Sequence, residues 1–232
     1  MKVYAGTSGW LYDWNKGGNF EWFVEHSELN SVELNASFYR FPFPNQIKYW
    51  STKAKGIRFS IKVHRKITHI LKLNEQAIEV WNDFQSLFSP LKKTIDFYLF
   101  QMSPSFSPQH LDRVQDFFSK VGHNHKFAIE FRHPNWFDER MVRQIEKTGL
   151  VFVSVDNPQR QAFVVKTNSV IYIRFHGRGS WYSYDYSVKE LEDISKQIYL
   201  LKPEYVYGYF NNNHNMLSNA RKFLKMLVKG GI

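Results

Sequence analysis

The feature that most constrains this chain is a rhythm. Short β-rich runs alternate with longer amphipathic stretches from one end to the other. Eight runs stand out, at residues 3–7, 31–35, 58–63, 97–102, 127–131, 151–155, 171–175 and 205–210. Each is rich in β-branched and aromatic residues and is bounded by polar or glycine-containing loops. Between most of them, apolar residues recur at three- and four-residue steps, the spacing of one helix face. Such stretches cover 74–87, 108–121, 139–148, 188–201 and 216–228. Pro90 follows the first and Gly149 the third, both residues that stop helices. Residues 156–169 carry no good helix, so an irregular unit is expected between the sixth and seventh strands.

Strands alternating with helices imply a parallel sheet. Eight such units in 232 residues point to an α/β fold of the TIM-type (β/α)₈ class, closed as a barrel, in a single domain over residues 1–232. An open doubly wound sheet is the rival. It would carry G-x-G-x-x-G after the first strand, and Gly6-Thr7-Ser8-Gly9-Trp10 does not fit. No linker or low-complexity segment marks a domain boundary.

Side chains alternate faces along a strand, so one parity meets the outer helices and the other fills the barrel. Val32 and Leu34 alternate with Ser31, Glu33 and Asn35. Phe59, Ile61 and Val63 alternate with Ser60, Lys62 and His64. Ile129 and Phe131 alternate with Glu130 and Arg132. Val153 and Val155 alternate with Ser154 and Asp156. Ile173 and Phe175 alternate with Arg174 and His176. The fourth and eighth strands end at Gln101 and Asn211. The inward parity is small or aromatic early and charged late. The C-terminal strand ends are where barrels of this kind keep their chemistry. The pattern therefore predicts a charged pocket there, rimmed by Trp10, Tyr39, Trp136 and Trp181. The competing reading is a buried lattice of ion pairs, Arg132 and Arg174 neutralising Glu130 and Asp156.

Composition narrows the chemistry. Cysteine is absent, which removes thiolate catalysis, Cys-ligated zinc and iron–sulfur clusters. A net charge of +10 favours anionic partners. No stretch approaches the ~20 apolar residues of a membrane span. The N-terminus has no signal-peptide character, so a cytoplasmic protein with no membrane partner is expected. Oligomeric state is not legible. His123 and His125 precede the fifth strand, at the end of the barrel where no role is expected, and residues 229–232 are expected to fray.

Several segments carry a resemblance to a known family. They are Gly6-Thr7-Ser8-Gly9-Trp10, Glu33-Leu34-Asn35-Ala36-Ser37-Phe38-Tyr39, Phe59-Ser60-Ile61-Lys62 and Ile67-Thr68-His69. Further along come Phe100-Gln101-Met102-Ser103-Pro104-Ser105-Phe106, Glu130-Phe131-Arg132-His133-Pro134, Arg174-Phe175-His176-Gly177 and Tyr209-Phe210-Asn211-Asn212. In this order they resemble the domain-of-unknown-function 72 family, the YecE-like proteins. The resemblance implies a TIM-type barrel and no established activity. It sets Glu33, Asn35, Lys62, Thr68, His69, Gln101, Glu130, Arg132, Arg174, His176, Asn211 and Asn212 on signature positions. The chain departs from the family's pattern on the rim, at Ser103 and at residues 213–217.

The constellation suits an enzyme acting on a small anionic or phosphorylated substrate by lyase- or hydrolase-type acid/base chemistry. Lys62, Glu130, His176 and Glu33 are the candidate catalytic residues. Lys62 could form a Schiff base or hold an anion. A carboxylic acid with a raised pKa, or a histidine, could move protons. Asn35, Tyr39, His69, Gln101, Arg132, Asp156, Arg174, Asn211, Asn212 and Trp10 are the candidate substrate contacts, with the arginines suited to an oxyanion. Glycoside hydrolysis would use two carboxylates and the aromatic rim, but the basic residues argue against it. No cofactor is predicted. A divalent metal held by Glu33, Glu130, Asp156, His64 and His176 is the weaker option, because Lys62 and two arginines would repel a cation. The runner-up is a nucleic-acid-binding barrel, its charge and the loop 174–181 clamping phosphates. Alternatively, Gly177 and Gly179 could offer backbone N–H groups to one phosphate.

Overall fold

The computed structural model describes residues 1–122 and 126–230. The expectations for His123, His125, Gly231 and Ile232 lie outside the described residues. Nine strands form one sheet: β1 Lys2–Thr7, β2 Ser31–Leu34, β3 Arg58–Lys62, β4 Ile95–Gln101, β5 Phe127–Glu130, β6 Val151–Asn157, β7 Arg160–Phe163, β8 Val170–Phe175 and β9 Tyr205–Phe210. Eight of them pair in parallel in the order β5-β4-β3-β2-β1-β9-β8-β6, and β5–β6 pairing closes the ring. The eight strands expected from the sequence are these eight, with ends shifted by a residue or two. Asn35, expected at the end of a strand, instead precedes a single 3₁₀ turn over Ala36–Phe38.

The helices are α1 Phe20–His26, α2 Pro44–Lys53, α3 Gln76–Leu87, α4 Leu111–Val121, α5 Glu139–Lys147, α6 Val188–Leu201 and α7 Met216–Lys229. Local chemistry sets their ends. Asn19 accepts from Trp22 N at 2.8 Å to start α1, and Ser187 with Glu190 forms a capping box at α6. Gly149 follows α5 at φ +78°, a conformation a Cβ would strain, as expected of a helix stop. Trp81 of α3 is fully buried between Phe100 and Phe127 of the sheet, and Trp50 of α2 packs on Trp10.

The irregular unit is a hairpin. β7 runs antiparallel to β6, with Val155 opposite Phe163 and Asn157 opposite Arg160. Among the described residues no helix lies between β6 and β8, where the hairpin packs instead, and β6 shows the reverse of the expected parity. Val151, Val153 and Val155 face the barrel interior beside Tyr172, Leu99 and Ala128. Phe152 packs outward on Phe131, Phe137 and Phe163. Ser154 Oγ serves both the N–H and the carbonyl of Val165, and Thr167 Oγ1 accepts from Phe152 N. A strand covered by polar backbone instead of an apolar helix places its polar residues outward to satisfy that backbone. The expected inward placement of Asp156 is therefore wrong.

Aromatic rings fill the lower barrel. Tyr4 stacks on Tyr207 at 4.8 Å, and Phe97 meets Tyr172 and Tyr207 edge-on. Their hydroxyls need partners once buried. Tyr207 donates to Asp96, Tyr209 pairs with Ser31 at 2.7 Å, and Tyr172 pairs with Ser60 at 2.6 Å. Tyr172 also reaches upward, and a charged layer begins there.

Candidate active site

Arg174 of β8 is fully buried at the centre of this layer. Its Nε and Nη2 donate to the two oxygens of Glu33 on β2, at 3.0 and 2.6 Å, and its Nη1 donates to Glu130 on β5. Glu33 also accepts from Ser8 Oγ at 3.0 Å and Tyr172 OH at 2.8 Å. Glu130 takes Arg132 Nε at 2.7 Å and Gln101 Nε2 at 3.0 Å. Each carboxylate is thus surrounded by donors, which buried charges require. Burial pushes Glu130 toward protonation, but Arg132 and Arg174 outweigh it and hold the carboxyl well below the usual range. Burial works against the charge of Arg174, and Glu130 and Glu33 more than restore it. Glu130 is therefore an anion that orients cations, not a protonated general acid.

His176, buried beside this pair, is held neutral. Burial, then Arg132 and Arg174, push its pKa down to about 3. Its Nε2 lies 3.4 Å from Arg132 Nη2 and 3.5 Å from Glu130 Oε1, and Asn211 Nδ2 is 3.5 Å from Nδ1. The first contact asks Nε2 for a lone pair and the second for an N–H. A neutral ring makes one of these two contacts at a time, according to its tautomer.

Lys62 closes β3 and differs from the rest. No carboxylate among the described residues lies within ion-pair distance of its Nζ, and no hydrogen-bond partner is present there. The ammonium position lies 4.1 Å from the centroid of the Phe38 ring, and the residue is 7% exposed. Burial, then the charge of Arg174, lower its pKa to about 7. His69 meets the same Phe38 ring edge-on at 5.0 Å, with Nδ1 2.9 Å from Thr68 Oγ1. Burial, then Lys62, bring its pKa down to about 4.

The rim is partly as expected. Trp181 lies over the Arg132 guanidinium at 5.0 Å. Tyr39 is exposed, and Trp10 is buried beneath it in a cleft of about 290 Å³ at the ends of β1 and β2. Ser8, Tyr12 and Asn35 also line that cleft, so Ser8 joins it to Glu33. The Asn35 Oδ1 is buried with no partner among the described residues.

Other candidates are placed elsewhere. Asp156 binds Arg178 Nε at 2.9 Å and Ala162 N at 2.5 Å, outside the barrel. Asn212 ties the Tyr184 carbonyl and Asn219 together, which anchors the loop after β8 to α7. Trp136 is fully buried against Phe131 at 3.8 Å and donates to the Phe106 carbonyl, so it is core and not rim. His64 packs edge-on against Phe41, and its Nδ1 accepts from Lys66 N at 3.3 Å. Gly177, at φ +94°, gives its N–H to Tyr186 OH and has none to offer a phosphate.

The divalent-metal option also loses its ligands. The Arg174 guanidinium stands between Glu33 and Glu130, Asp156 binds Arg178, and His64 packs against Phe41. Among the described residues no three His, Asp or Glu side chains converge to hold an ion. The donors at the centre do not fit a cation.

Sequence reasoning missed Ser8, Tyr172, Ser60 and Phe38. Tyr172 had the right parity but reads as barrel filler, and nothing in a lone serine announces a carboxylate partner.

Comparison with known proteins agrees with this architecture. A D-psicose 3-epimerase from Clostridium cellulolyticum, solved with D-tagatose, has the same fold at a TM-score of 0.56 and 12% identity, over 99% of each chain. A DUF72 family protein from Thermotoga maritima superposes with a TM-score of 0.81 at 24% identity, over 98% of this chain and 100% of that one. The UPF0759 protein YecE of Escherichia coli is 26% identical over 152 residues, 64% of this chain and 55% of YecE. The match thus spans about half the length of that curated relative. The family model described as "Protein of unknown function DUF72" matches residues 4–231, and the chain belongs to that family.

Proposed function

We propose that the protein is an enzyme that binds a small anionic or phosphorylated substrate at the C-terminal face of the barrel and acts on it by lyase- or hydrolase-type acid/base chemistry. One observation carries this reading. The two buried carboxylates, Glu33 and Glu130, are matched by two arginines, and the Lys62 amine is left over at the mouth. When that amine is protonated the layer is one positive charge in excess, and a bound anion supplies the missing partner. Arg132, 15% exposed at its side chain, and Lys62 are the groups that reach outward. Lys62, its pKa lowered to about 7, is the group able to move protons, and His176 and His69, both neutral there, offer ring nitrogens as hydrogen-bond partners. The sequence without cysteine fits a reducing compartment, and no helix among the described residues is long and apolar enough to cross a membrane.

The test is thermal stabilisation by inorganic phosphate and by three- to six-carbon phosphorylated compounds, with single-stranded oligonucleotides in parallel at two salt concentrations. A ligand that binds only the native state raises the Tm. The expected result is a rise with one class of small phosphorylated compound that is lost in Lys62→Met. Tight oligonucleotide binding that weakens steeply with salt, with no small-molecule response, would replace the enzyme by the nucleic-acid reading.

A further inference from the structure

We propose that Lys62 is a covalent carrier, its amine condensing with the carbonyl carbon of a small anionic aldehyde, ketone or keto acid to form an iminium. The proposal rests on the anion-binding reading above and names the substrate class more narrowly.

Three observations lead here. First, Lys62 is the member of the charged layer that no carboxylate holds. Arg174 is locked to Glu33 and Glu130 and Arg132 holds Glu130 through Nε, while the Lys62 Nζ has neither an ion pair nor a hydrogen bond among the described residues. An amine tied to a carboxylate would stay protonated and inert, and one buried without a carboxylate partner can lose its proton and present its lone pair. Second, its surroundings divide the work. Arg132, stacked beneath Trp181 at 5.0 Å, reaches outward to hold a carboxylate or phosphate, leaving the carbonyl for the amine. Third, His69 shares the Phe38 ring with Lys62, its Nδ1 held at Thr68 and its Nε2 left without a protein partner among the described residues. It can carry the proton that leaves nitrogen to the departing oxygen. The neutral fraction of Lys62 near pH 7 agrees with this assignment.

The step balances without oxidant or reductant. The Nζ lone pair forms the C–N bond, and the carbonyl π pair moves to oxygen. That oxygen takes a proton as nitrogen gives one up, which yields a carbinolamine. A second proton on the hydroxyl lets it leave as water, and the nitrogen lone pair closes the C=N⁺ bond. The sum is amine plus carbonyl plus one proton, giving iminium plus water. The iminium then draws electrons from the adjacent carbon, which supports bond cleavage or proton exchange there.

The experiment is reductive trapping on the full chain with sodium cyanoborohydride, using glyoxylate and, separately, dihydroxyacetone phosphate as probes. Intact mass and peptide mapping locate the adducts. The expected result is one adduct per chain on Lys62, formed at least ten-fold faster than on any other lysine. Inorganic phosphate should suppress it, and its rate should fall about ten-fold per pH unit below 7. Labelling spread over surface lysines with Lys62 not preferred would overturn the proposal. If phosphate still raises the Tm in that case, the covalent step alone fails. If phosphate does nothing either, the anion site fails with it.

Discussion

Arg174 and Lys62 lie in the same charged layer and answer to opposite rules. Arg174 is a fully buried cation with both neighbours paired, and removing it leaves Glu33 and Glu130 facing each other without a counter-charge. Breaking such a cluster costs about 3–5 kcal/mol. Arg174→Met is expected to lower the unfolding free energy by that amount, read as a fall in the urea midpoint at constant slope. Lys62→Met should do the reverse. The unfolded chain holds Lys62 near its ordinary value of 10.5, and the folded protein holds it at about 7. Below pH 7 the lysine is charged in both states, so the fold bears the whole cost of burying that charge. Between pH 7 and 10.5 the unfolded state binds more protons, and native stability rises with pH. The methionine variant is thus expected to melt higher than the wild type at pH 6, by a few kcal/mol in stability, with the gap closing toward pH 10. Melting curves across that range check both the sign and the window. Glu33, Lys62, Glu130 and Arg174 were legible as inward and late because strand parity is strict. Which of them pairs with which was not, because the partner choice depends on barrel stagger, a property no single strand carries.

Among the elements, the β6–β7 hairpin departs furthest from the expected pattern. The alternation Val151, Val153, Val155 against Phe152, Ser154, Asp156 is ambiguous by itself, since either set suits a barrel interior. With backbone from β7 and residues 164–167 covering the outside, the polar set was needed there. α1 and α2 went unannounced because the one is a single aromatic-rich pair of turns and the other begins at Pro44 with few apolar positions. Asp156 belongs to this outer structure. Asp156→Asn should weaken the hold on Arg178 and the Ala162 N–H by about 1–3 kcal/mol. Amide exchange is expected to quicken over residues 160–163 while stabilisation by phosphate is unchanged. Loss of the phosphate response in that variant would return Asp156 to the site.

At the scale of the whole molecule, closure brings Glu33 of β2 and Glu130 of β5 onto one guanidinium of β8, 141 and 44 positions further along the chain. The barrel was legible from the count and order of its strands. Of the cleft beside it, Trp10, Asn35 and Tyr39 were legible as site residues but its shape was not, because its walls come from loops whose paths follow from the packed fold. The excess of basic residues acts over the whole surface, and at the barrel mouth it adds to the one charge that the buried layer leaves uncompensated. That uncompensated group is Lys62, and NMR of isotope-labelled lysine side chains, assigned through Lys62→Met, reads its charge state. One lysine should titrate near pH 7 in the free protein and shift upward when inorganic phosphate is added. A Lys62 that titrates near 10.5, indifferent to phosphate, would contradict it.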